Sequence, residues 1–286
     1  MLGRRGALRF LIAPAYLWLI LLFVAPLCLA IAISLRPEVG PIRFGEPWNV
    51  SFAQYQAIAE SPSWLRLLGV SGLMAFVVAA ASTVLAYPIA YFLAFRARER
   101  APLYLVLLLV PFATSFLLRV MAWKLLLGST GAINSFLIWI GLIHEPIGLL
   151  LYSQAAVILT LTYVWIPFAA LPIYAALQRI DRSHLEAAAD LGSGPWTRFA
   201  RVTVPLSLPG LLATFFMVFI PTVGEYVTPS LVGGTGGIMY GNLIQDFFTR
   251  AGNWPLGSAL AVIMLLVTLV LVGVALRAVD LRRLGT

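Results

Sequence analysis

The chain has 286 residues, 61% of them hydrophobic and only 10% charged, with a mean hydropathy of +0.96. No water-soluble domain of this length needs so much apolar surface, so the composition excludes a soluble enzyme and indicates a multi-pass membrane protein surrounded by lipid. The net charge of +8 would suit a nucleic-acid binder, but the Arg residues stand in short groups between apolar runs, as in membrane loops, which argues against a nucleic-acid partner.

A helix that crosses a bilayer needs ~20 mainly apolar residues. Six stretches qualify: about Phe10–Leu35, Leu65–Phe95, Leu103–Leu127, Leu149–Leu177, Leu206–Leu231 and Leu256–Val279. The first follows Arg4, Arg5 and Arg9 but is longer than a signal-peptide apolar region, so it reads as a retained helix. Ala25-Pro26-Leu27 before Cys28 does not resemble a lipoprotein cleavage box, and a lone cysteine permits neither an internal disulfide nor a cysteine metal site. Between the first and second spans lies Arg36 to Trp64, with a short helix expected over Phe52–Ala59. Between the third and fourth, another is expected over Ile133–Ile143. Trp64, Trp123 and Trp254 fall where one aromatic belt belongs. Prolines recur inside the spans, at Pro14, Pro26, Pro88, Pro111, Pro167, Pro172 and Pro221, which neighbouring helices can tolerate in a membrane.

Thirteen of the 19 basic residues collect in four places: before the first span, at Arg96–Arg100, at Arg179–Arg201 and at Arg277–Arg283. By the positive-inside rule both termini and the Gln178–Pro209 loop are then cytoplasmic. That loop, QRIDRSHLEAAADLGSGPWTRFARVTVPLSLP, is the longest polar stretch between two apolar ones. Ser183 and Glu186 have the spacing of a capping box that opens one helix, Gly192 closes it, and Ser193 or Gly194 caps a second that begins at Pro195.

Within it, Glu186-Ala187-Ala188, then Gly192, then Val202, Val204 and Pro205 resembles the EAA signature of permease subunits in binding-protein-dependent ABC importers. Val202 and Val204 stand where that signature has Ile and Leu. The resemblance implies that this loop couples to a cytoplasmic ATPase, with Glu186, Ala187, Ala188, Gly192, Val202 and Pro205 carrying the contact. It also implies a single permease domain over residues 1–286, all-α, with the six-helix type I importer fold.

The chemistry for ATP hydrolysis is missing from the chain itself. Lys124 is the only lysine, and the cluster Gly233-Gly234-Thr235-Gly236-Gly237 has no lysine after it, so no phosphate-binding loop exists. His144 and His184 stand far apart, and no Ser-His-Asp set or carboxylate pair is legible. A non-catalytic subunit is expected, without a cofactor or metal of its own, ATP and Mg being bound by the partner ATPase. The informative polar residue is Glu225, after Pro221 and Gly224, which can open the fifth helix. An ionisable group in a membrane helix faces a cavity or a partner. Here that means cargo, a structural ion pair with an arginine such as Arg119 or Arg250, or exposure at the membrane interface. Tyr226 beside it offers an aromatic face to a cation.

Three stretches, MAWKLLLGSTGAINSFLIWIGLI, PTVGEYVTPSLVGG and GNLIQDFFTRAGNWPLGSAL, resemble permease subunits of spermidine/putrescine importers, the first of each pair. Where that family commonly has Asp after Pro-x-x-Gly, this chain has Glu225. The resemblance implies an inner-membrane importer of polyamines, with Glu225, Tyr226, Asp246 and Trp123 along the cargo path. Its partners would be a homologous second permease, two ATPase subunits and a periplasmic binding protein. Related permeases carry opines, thiamine, ferric iron or phosphonates. An ATPase-independent secondary transporter would show inverted repeats or a chain of buried ionisable residues, and neither is visible.

Overall fold

A computed structural model describes residues 13–14, 16–37 and 49–278. The regular structure among them is helical, and six helices are long and apolar enough to cross a membrane. Arg4, Arg5, Arg9, Arg282 and Arg283, on which part of the expected orientation rests, lie outside the described residues.

Contacts divide the described chain into two compact units, one running through Arg66 and including Leu243–Val267, the other comprising Leu67–Asn242 and the residues from Thr268 on. In the first unit, helix α1 (Tyr16–Ser34) is exposed from Tyr16 to Val24 and becomes buried only at Ile33 and Ser34. There Ser34 Oγ lies 2.7 Å from the hydroxyl of Tyr55 on α2 (Ala53–Ala59). Gln54 of α2 donates from Nε2 to the carbonyl of Arg36, closing the turn that follows α1. Trp64 meets Phe247 edge-on at 5.4 Å.

The second unit is built on α3 (Pro62–Tyr91), α7 (Gln154–Gln178) and α10 (Val204–Val223). Small residues bring the helices close, as in membranes, where packing rather than water drives association. Ala75, Ala79, Ala86 and Ala90 of α3 and Ala169 and Ala170 of α7 are fully buried. Polar side chains add cross-helix bonds, from Ser82 Oγ to the carbonyl of Thr162 and from Thr214 Oγ1 to that of Ala169, both 3.4 Å.

The third expected span, Leu103–Leu127, is not one helix. α4 (Ala101–Leu109) tightens into a 3-10 turn over Val110–Ala113, Thr114 and Ser115 are extended, and α5 (Phe116–Leu127) starts afresh. Pro111, which lacks an N–H, breaks the ladder. Its carbonyl is satisfied by Thr114 Oγ1 at 2.6 Å and by Arg119 NH1 at 2.9 Å. The spanning length is recovered as Phe116–Trp139, with α5 running through a Gly128–Gly131 turn into α6 (Ala132–Trp139). Asn134, fully buried, pins this turn by donating to the Gly128 carbonyl and accepting from the Ile147 N–H.

Closest of all is the crossing of α7 and α10. A Cβ on Gly210 would overlap the methyl of Ala176 and lie 3.2 Å from the carbonyl oxygen of Pro172. Gly210→Val should therefore force the two helices apart, an overpacking cost of about 1–3 kcal/mol. A thermal unfolding scan in detergent should place its midpoint below that of Gly210→Ala, and both below the parent chain.

Candidate functional site

The fifth span was expected to run unbroken over Leu206–Leu231. Instead it starts earlier, at Pro195, and stops at Val223. The chain turns at Gly224 and Glu225, the Glu225 N–H donating to the Thr222 carbonyl, and a second short helical piece then runs through Pro229–Gly233. A helix start leaves backbone N–H groups without partners. Glu225 supplies them: its Oε1 accepts from the N–H groups of Tyr226, Val227 and Thr228 at 3.1, 2.8 and 3.2 Å. Neither arginine weighed as an ion-pair partner is bonded to it. Arg119 is held by the Pro111 carbonyl and lies 4.2 Å from the Phe112 ring, and Arg250 pairs with Asp246 at 3.5 Å. Among the described residues Oε2 of Glu225 carries no hydrogen bond.

Two residues that sequence reading passed over hold this break. Gly241 packs directly against it, since a Cβ there would come within 2.7 Å of the Glu225 carbonyl oxygen. Asn242, 7% exposed, donates from Nδ2 to the Tyr226 carbonyl at 2.8 Å and to Ser230 Oγ at 2.7 Å. Its Oδ1 accepts from the Met239 N–H at 3.0 Å. Tyr240 is anchored alongside, its N–H donating to Ser71 Oγ of α3 at 2.7 Å. The signal in the sequence was the Gly-Asn pair after the glycine cluster, a tight approach followed by a side-chain amide.

The other expected pathway residues have partners of their own. Trp123 on α5 packs edge-on against Tyr163 of α7 at 5.3 Å. Asp246 on α11 (Tyr240–Thr249) is tied to Arg250 one turn on, with 83% of the arginine side chain exposed. A cavity of about 320 Å³ lies where α4, α5 and α7 meet, lined by Leu108, Pro111, Phe112, Arg119, Tyr163 and Pro167.

The residues expected to couple to an ATPase occupy one continuous stretch. α8 (Arg182–Asp190) is capped by Asp181, whose Oδ1 accepts from the Ser183 N–H at 3.0 Å, and not by the Ser183–Glu186 box. Asp181 takes the extended backbone an N-cap requires, and a carboxylate suits the positive helix end better than a hydroxyl. The Ser183 N–H and hydroxyl, aided by His184, hold the Asp181 carboxyl below the usual carboxylate range. The cap is thus intact at neutral pH and is lost only as the pH falls through that lowered value. Gly192, at φ +80, ends α8: its N–H reaches the Ala189 carbonyl and the Ser193 N–H the Ala188 carbonyl, a Schellman close. α9 (Pro195–Arg198) follows with Gly194 at its N-cap, then a π turn over Phe199–Thr203 containing Val202, and Pro205 sits in the first turn of α10. From Asp181 to Ala200 no residue is buried; Leu191 is 87% and Trp196 77% exposed.

Among the described residues the chain has six apolar helices, a span broken and capped within the second unit, and an exposed helical elbow, the make-up of a multi-pass membrane protein. Residues 86–284 match the family described as binding-protein-dependent transport system inner membrane component, and the chain belongs to that family. It is thus a permease subunit of an importer of this kind, in the inner membrane. It is 36% identical over 206 residues, 72% of this chain and 74% of the relative, to the spermidine/putrescine transport system permease protein PotB of Escherichia coli K12. To the protein of the same name from Haemophilus influenzae it is 32% identical over 93% of this chain and 92% of the relative. Among solved structures, a bacterial alginate ABC transporter with its alginate-bound periplasmic protein superposes with a TM-score of 0.70 at 18% identity, covering 98% of this chain and 96% of the other. That likeness concerns the fold alone.

Truncating Asn242 to Ala would leave the Tyr226 carbonyl and Met239 N–H without their buried partner, at about 1–3 kcal/mol. A lowered unfolding midpoint, together with faster amide hydrogen exchange confined to residues 224–233, is the expected outcome.

Proposed function

We propose that this chain is the polyamine-conducting permease half of an ATP-driven importer, carrying putrescine or spermidine inward by alternating access. The observation that carries the cargo is the 36% identity to a spermidine/putrescine permease, supported by a carboxylate at the break in the fifth span. The whole chain acts as one permease domain with both termini and the 178–209 loop in the cytoplasm. It pairs with a homologous second permease, two ATPase subunits and a periplasmic binding protein. It has no catalytic role and no cofactor of its own; ATP and Mg belong to the ATPase.

At the break, Oε1 of Glu225 serves the helix and Oε2 is left for an ammonium group. At an effective dielectric of about 20, a carboxylate and an ammonium 4 Å apart attract by ~4 kcal/mol, and the three N–H donors temper this enough for release. Tyr226, 43% exposed, offers its ring to the same cation. Trp123 and Asp246 are the further stations of the path. A second reading, an anionic cargo such as a phosphonate, has Arg119 and its apolar cavity behind it.

The test is uptake by proteoliposomes containing this chain, the second permease, the ATPase and the loaded binding protein, with each component omitted in turn. Polyamine uptake should require all four, and uptake without the second permease would show a homodimer. Glu225→Gln keeps the acceptor oxygen of the cap and removes the charge. It should leave the unfolding midpoint nearly unchanged while uptake falls tens-fold, whereas wild-type uptake would make the carboxylate structural. Uptake of a phosphonate in place of polyamine would favour the second reading.

The exposed α8 face of the elbow, with Leu191, is the surface that seats in the ATPase, with Glu186, Ala187, Ala188 and Gly192 at its centre. Gly192 holds a left-handed backbone, and a Cβ added there would meet no atom within 4 Å, so its substitution is strained rather than clashing. Gly192→Val should cost about 1–2 kcal/mol there and release the ATPase on co-purification; retention of the ATPase with normal uptake would refute this role.

A further inference from the structure

Between Asp181 and Ala200 no side chain is buried, so any push received on this elbow must enter the body of the protein at its base. Two routes are covalent, back into α7 and forward into α10. A third, to α3, is not covalent, and the Phe199 ring makes it. Phe199 stacks on Trp196 at 5.4 Å with the planes 26° apart. It also meets two tyrosines of α3 edge-on, Tyr87 and Tyr91, each at 5.7 Å. These tyrosines are one helical turn apart, and Phe199 touches both. Trp196, by contrast, is largely open to solvent.

Three features make this contact fit to move. Phe199 opens the π turn Phe199–Thr203, and a second π turn, Phe92–Arg96, begins immediately after Tyr91. A π turn carries one surplus residue in the ladder and marks places where helices adjust. Beside the ring is an apolar cavity of about 330 Å³, lined by Thr83, Tyr87, Pro88, Phe199, Val204 and Leu211, which gives it room. The far side is fixed, with the Tyr87 hydroxyl 3.1 Å from Ser207 Oγ, which itself donates to the Val204 carbonyl at 3.0 Å. Movement of the elbow therefore reaches α3 by displacement of one ring against two others, of which Tyr87 is anchored through Ser207.

We propose that Phe199 is the positioning residue that transmits motion of the 181–200 elbow to α3, with Trp196 as the plate that receives it and Tyr87 and Tyr91 as its seat. This rests on the reading that the elbow meets the ATPase. The link is separate from docking: Phe199 is half-buried beneath the elbow, whereas the docking surface is the exposed α8 face and Leu191.

The complete transporter in proteoliposomes gives the readout, cargo imported per ATP hydrolysed, with ATPase co-purification measured alongside. Phe199→Leu keeps an apolar side chain but has no ring edge or face. It should retain the ATPase and its hydrolysis while import per ATP falls about tenfold, the scale expected from losing edge-on ring contacts. Phe199→Tyr should restore the ratio. Tyr91→Leu, which leaves the elbow untouched, should lower it in the same sense, and the Tyr91→Leu/Phe199→Leu pair should be no worse than Phe199→Leu, because the rings act as a unit. Wild-type import per ATP in Phe199→Leu, or full additivity in the pair, overturns the proposal. Loss of the ATPase from Phe199→Leu overturns it too, by placing the ring in the docking surface. Failure of the parent chain to hold an ATPase would sink the docking reading itself.

Discussion

Inside a bilayer an unpaired N–H or C=O has no water to turn to, so a helix can be interrupted only where the protein itself repairs the interruption. Much of the fold follows from this constraint. The break at Gly224–Glu225 is repaired by the Glu225 carboxylate on three N–H groups and by Asn242 on the Tyr226 carbonyl and Ser230. The break at Pro111 is repaired by Thr114 and by Arg119, whose guanidinium finds a carbonyl and an aromatic face where it has no carboxylate. In both places a polar residue that looks functional in the sequence is first of all a backbone ligand. Any role in transport comes in addition to that one, which in Glu225 occupies a single carboxylate oxygen.

The surfaces left uncovered follow a related logic. α1 presents Tyr16 to Val24 with no buried residue, an apolar face for lipid or for another helix. The elbow is different: a nine-residue helix, α8, is marginal in water by itself. It is kept in shape here by Asp181 at one end and the Gly192 close at the other rather than by packing. A well-capped, unburied helix with Leu191 and Trp196 exposed is a surface open to a partner.

Close packing of α3, α7 and α10 through alanines and Gly210 leaves little slack in the middle of the second unit. Slack exists at the π turns and in cavities beside Phe199 and Arg119, and in a third of about 470 Å³ where Ala81 and Leu85 of α3 meet Ala156 and Leu159 of α7.

Composition and the spacing of apolar runs were enough to determine that the chain is a six-span helical membrane protein, because ~20 apolar residues in a row have few other destinations. Local chemistry determined the elbow as well: Gly192 and Pro195 fall where a helix must stop and the next can start, and the helices end and begin there. The short helices expected over Phe52–Ala59 and Ile133–Ile143 formed as Ala53–Ala59 and Ala132–Trp139. Tertiary structure decided the rest. Hydropathy averages over a window, so it could not see that Leu103–Leu127 breaks at Thr114 or that the fifth span ends at Val223. Those breaks are stable only because other parts of the chain meet their freed backbone groups, and at the Gly224–Glu225 turn these are the distant Gly241 and Asn242. What Glu225 bonds was likewise beyond the sequence: charge suggested cargo or an arginine, and the fold offered three backbone donors. Asp181 outdid the Ser183–Glu186 box for a similar reason, since the backbone angle at the cap, set by where α7 releases the chain, selects which side chain can reach the first free N–H.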